Sequence, residues 1–164
     1  MNEPMAKALA KWWADRMRSG EGNATQEQRA HAQLPCPEVG ADIFAMARKA
    51  ALKHPERIDM FEQELIRLLI HGPDAETHRY LTHQWPTSFV LYNDWDPQGL
   101  LARAVKLSGV PEILLPPKTQ VHVYKNVAVV TEGEDQGLRL WPEPRERVTH
   151  DQLYNLSLIE QPAE

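Results

Sequence analysis

The sequence predicts an α+β fold, with a helical N-terminal half and a small antiparallel β-sheet in the C-terminal half. Three observations carry this. Apolar residues recur at helical spacing along residues 4–18 and again over about 39–71. Short runs rich in Val and aromatic residues appear only after residue 87. The thirteen prolines fall mostly between these periodic segments rather than inside them.

Residues 4–18 read as the first helix, within an amphipathic N-terminal segment 1–18. Met5, Leu9, Trp12, Trp13 and Met17 fall on one stripe, and Lys7, Lys11, Asp15 and Arg18 lie elsewhere. From Ser19 to Gln33 no large apolar residue occurs, so this stretch reads as a polar linker. A helix pair is expected over about 39–71. Ile43, Met46, Ala47 and Ala50 mark the inner face of its first member, and Ile58, Phe61, Leu65, Leu68 and Leu69 that of its second. Pro55 suits the first turn of the second helix, and Gly72-Pro73 ends it.

A short helix with an acidic first turn is expected over Asp74 to His83, then a buried strand over Ser88–Tyr92. Asp96 is placed as the cap of the next helix, with Pro97 at its first position and Gly109 as its left-handed terminator. Val121–Tyr124 and Val127–Val130 form a hairpin whose two-residue turn is Lys125-Asn126, with Asn126 supplying the positive φ that such a turn asks for. In that register Val121, Val123, Ala128 and Val130 share one face, and His122, Tyr124, Val127 and Val129 share the other. Leu138–Trp141 reads as a third strand after an acidic loop. Residues 142–164 read as a tail with one helix signal, Thr149 followed by Gln152.

Size and composition fit one domain over residues 1–164, since the hydrophobic fraction is 42% and the charged fraction 25%. The net charge is −5, and the excess is C-terminal: residues 1–118 carry 14 basic and 15 acidic groups, residues 119–164 carry 4 and 8. Without a basic stripe to neutralise phosphates, nucleic-acid binding is not expected. No run approaches the roughly 20 apolar residues of a membrane span, and the first residues lack an apolar signal core, so a cytoplasmic location is expected. A single cysteine, Cys36, rules out a disulfide framework.

Candidates for chemistry are few. His71, Asp74, His78 and His83 supply metal-type ligands, but His78 and His83 are five apart and do not share a helix face. Asp94 and Asp96 follow a strand and could hold a divalent cation, although turn and cap chemistry also accounts for them. Cys36 stands between two prolines with no signature of a nucleophile around it. The expectation is therefore a non-enzymatic protein–protein interaction module, an adaptor or inhibitor of the bacterial or phage accessory kind, with no cofactor and no metal. The alternative is a small metal-dependent hydrolase or nuclease built on Asp94, Asp96 and the histidines.

Two surfaces compete as the interface, to a protein partner or a second copy of the chain. One is the helix stripe Met5, Leu9, Trp12, Trp13 and Met17, which must otherwise fold back on its own core. The other is the β face bearing His122 and Tyr124, unless the tail around Leu153 and Leu156 covers it.

Overall fold

The computed structural model describes residues 1–19, 45–81, 88–94, 96–132, 137–149, 151–152 and 155. Its helices precede or flank a five-stranded antiparallel sheet, so the fold is α+β as the periodicities imply. Helix α1 spans Glu3–Ser19, and Asn2 caps it by accepting the Met5 N–H at 2.9 Å. Residues 45–51 are helical, and α2 follows over Pro55–His71 with Pro55 in its first turn. Helix α3 spans Ala75–Leu81 and α4 Gly99–Ser108, trailed by a 3₁₀ turn at Glu112–Leu114. The strands are β1 Phe89–Asn93, β2 Thr119–Val123, β3 Ala128–Glu132, β4 Gly137–Trp141 and β5 Glu146–Val148. They lie side by side in chain order.

Helix α2 is the centre of the helical layer, packing against both α1 and α4. Its buried residues are the five that the 3.6-residue period marks: Ile58, Phe61, Leu65, Leu68 and Leu69. The first member of the expected helix pair fares differently. Ile43 lies outside the described residues, as do the linker residues from 20 and Cys36. Met46, expected inside, is 72% exposed, and Ala50 is exposed while its neighbour Ala51 is buried. Helix α1 packs against α2, and Ala51 joins the same core.

All five stripe residues of α1 are buried in the protein's own core, Trp13 completely. Met5, Leu9, Trp12, Trp13 and Met17, expected as an interface, stand in the core, where α1 meets α2, the 3₁₀ turn and β4. The two tryptophan rings meet edge to face, centroids 5.2 Å apart and planes at 84°. Arg16 lies 5.8 Å over the Trp12 ring and pairs with Glu132 on β3, and so links the helix layer to the sheet. Arg18 reaches Asp59 and Glu62 on α2 at 2.8 and 2.7 Å. Burial alone would lower the Arg18 pKa, but hydrogen bonds to Glu62 and Asp59 raise it overall.

The hairpin register matches the sequence: Val121 faces Val130 and Val123 faces Ala128, with the Tyr124 N–H donated to the Val127 carbonyl at 2.8 Å. The tip is Lys125-Asn126, yet neither has positive φ. Among the described residues, Lys118 at φ 48° is the non-glycine one that does. A bulge between Ala128 and Val129 shifts the β3–β4 pairing, and so Leu140 joins the core while Trp141 also packs against it. Strand β5 falls within the segment read as a tail. Behind it, the Thr149 and Gln152 pair caps reciprocally, each backbone N–H bonded to the other's side chain at 3.0 and 3.3 Å.

Helix α4 starts later than expected. Asp96 is exposed and does not cap it, because Pro97 folds back to bridge Asn93 and the Gln98 N–H is donated to the Tyr92 carbonyl at 3.0 Å. The helix therefore begins at Gly99, whose φ of +56° an L side chain rarely adopts. Its end is as expected, with Gly109 left-handed and its N–H bonded to the Val105 carbonyl.

Trp13→Ala should lower the unfolding free energy by about 3–5 kcal/mol in a denaturant melt, since it empties a fully enclosed site. Met46→Ala should change it by less than about 0.5 kcal/mol. Equal losses from the two would contradict this core.

Candidate functional site

Among the described residues, the candidate metal ligands form no metal-holding group of three. Asp74 caps α3: its Oδ1 accepts the Thr77 N–H at 3.0 Å and the Thr77 hydroxyl at 2.8 Å, and its Oδ2 accepts the Arg103 Nε–H at 2.5 Å. The Thr77 backbone N–H, aided by the Thr77 hydroxyl and Arg103, holds this carboxyl at about 2, against the partial burial that pushes it upward. His71 and His78 are exposed, and His83 lies outside the described residues. Asp94 is half-buried, and its backbone carbonyl accepts the Lys118 N–H.

Beside β1, the end of the sheet is built from buried polar groups. Asn93 and Thr119 face each other across β1 and β2, and both are buried. The Asn93 amide donates to the Pro116 carbonyl at 2.8 Å and the Thr119 hydroxyl to the Pro117 carbonyl at 3.0 Å. These bonds satisfy carbonyls of a proline-rich turn, where ladder partners are missing. They brace the loop that returns the chain from α4 to β2.

A cleft of about 230 Å³ lies between α3 and α4, with Tyr80 on its rim at 70% exposure. Its charges are already engaged with one another. Arg103 bridges Asp74 and Glu76, and Lys106 also reaches Glu76 at 2.9 Å. Periodicity does not reveal this cleft, because its ion pairs join residues about 30 positions apart.

The helices pack on one side of the sheet, against the face that carries Val121, Val123, Ala128 and Val130. The opposite face carries His122 and Tyr124, the sheet residues that the sequence marks. Register sets Val90, His122, Val129 and Arg139 in one row across β1 to β4. Val129 is fully buried within that row, whereas Val90 is 38% exposed. Tyr92, His122, Tyr124 and Val127 are half-buried around it. At the far edge, Arg139 pairs with Glu146 of β5 at 2.9 Å. The face thus grades from aliphatic and aromatic beside β1 to ionic beside β5. Alternation reveals which residues share this face; it does not reveal Val90, whose place depends on β1 joining β2.

Burial pushes the His122 imidazole below its ordinary value of 6.5. The folded state therefore keeps His122 neutral, while the unfolded chain takes up a proton first as the pH falls. Stability should decline as pH drops below about 6.5 and level off below the folded-state pKa. Urea melts at pH 7.5 and 5.5 should show this slope, and His122→Gln should flatten it. Asp74 acts in a lower window: its contribution is full above its ordinary 3.8 and is lost as pH falls toward 2. Asp74→Ala, measured at neutral pH, should cost about 0.5–2 kcal/mol through the lost cap.

Compared with known proteins, the chain matches no family model, no curated protein and no solved structure.

Proposed function

We propose that this protein is a protein–protein interaction module whose docking surface is the sheet face opposite the helices, centred on Val90, Tyr92, His122, Tyr124 and Val127. One observation supports this above the others: an apolar and aromatic surface stands on the side of the sheet away from the helical layer, with Val90 at 38% exposure among half-buried rings. Tyr rings bury large area at low entropic cost, and the valines add aliphatic surface beside them. The imidazole of His122, held neutral by burial, adds to this apolar character. The partner this chemistry suits is a protein that presents an apolar or aromatic surface of its own. The Arg139–Glu146 pair would lie at the rim, where charge sets orientation more than affinity.

The reading moves the interface away from α1. The Trp12 and Trp13 rings serve the core, so a partner could reach them only after α1 left α2, at a cost comparable to unfolding. Leu153 and Leu156, which the sequence offers as a cover for the sheet face, lie outside the described residues.

The double substitution Val90→Lys and Val127→Lys places two charges on the proposed surface at partly exposed positions. Its unfolding free energy should stay within about 1 kcal/mol of wild type. Affinity capture from native-host lysate should recover a partner with wild type and lose it with the variant. Sedimentation at several concentrations tests the second copy in the same way, with a wild-type dimer that the variant abolishes. A variant that folds normally and retains every association of the wild type would overturn the assignment.

A further inference from the structure

No further inference is drawn: the strongest candidate, the cleft of about 230 Å³ between α3 and α4 with Tyr80, Arg103 and Lys106 on its walls, carries nothing because its charged side chains pair with one another and nothing in the structure shows what covers it.

Discussion

The enclosure of Trp13 between α1, α2 and the sheet is the contact on which the rest of the architecture leans. A sheet with one apolar face cannot stand in water, and neither can an isolated amphipathic helix of 17 residues. Each solves the other's problem. The stripe from Met5 to Met17 supplies two indole rings and two thioethers, enough apolar area for several kcal/mol of burial. The Trp13 indole N–H reaches no acceptor among the described residues, so the ring is held there by packing. The charged residues of α1 then fix its azimuth. Arg16 turns toward the sheet to Glu132 and Arg18 toward α2, to Asp59 and Glu62. Exposed pairs of this kind add little energy, but they discriminate between otherwise similar rotations of the helix.

With α1 and α2 set, the position of α4 follows from the end of β1. The Tyr92 carbonyl captures the Gln98 N–H, and Pro97 bridges Asn93. The chain can then turn into a helix only at Gly99, which lays Leu100, Leu101, Ala104 and Val105 against α2 and β1. Helix α3 is tied to this arrangement by polar groups rather than by a large apolar face. Thr77 is its buried residue, and Asp74 and Glu76 grip Arg103 across the gap. An element of seven residues with so little apolar burial depends on its neighbours for order.

Among the described residues, the helices pack on one face of the sheet, and the proposed docking surface lies on the other. In an antiparallel sheet the two faces alternate residue by residue, so the same hairpin that fills the core with Val121 and Val130 presents His122 and Tyr124 on the opposite side. The proposed docking surface is a consequence of this geometry combined with an unusual choice of residues. Valine and tyrosine stand at Val90, Tyr92, Tyr124 and Val127, where a solvated face would carry charge. Among the described residues no helix is long and apolar enough to cross a membrane.

Local chemistry determined much of this protein from sequence. The 3.6-residue period over Ile58 to Leu69 marks α2's buried face because a helix fixes which positions coincide. Gly109, the Thr149–Gln152 cap and the Lys125-Asn126 tip are equally local, each satisfied within a few residues. Even there, the absence of positive φ at Asn126 shows that residue preference locates a turn better than it names its type. Tertiary structure decided what periodicity leaves open, namely which surface meets which. The stripe of α1 is equally apolar whether it faces its own core or another chain, and its burial beside α2 and β4 is visible only in the tertiary structure. Met46 has the spacing of a core residue yet stands 72% exposed. Asp96 has the chemistry of a cap, overridden by a backbone bond from Gln98 to Tyr92. Val90 gains its place beside His122 from a pairing between β1 and β2 across some 30 residues of intervening chain. An amphipathic pattern states that a surface must be covered, and the identity of the cover is a non-local fact.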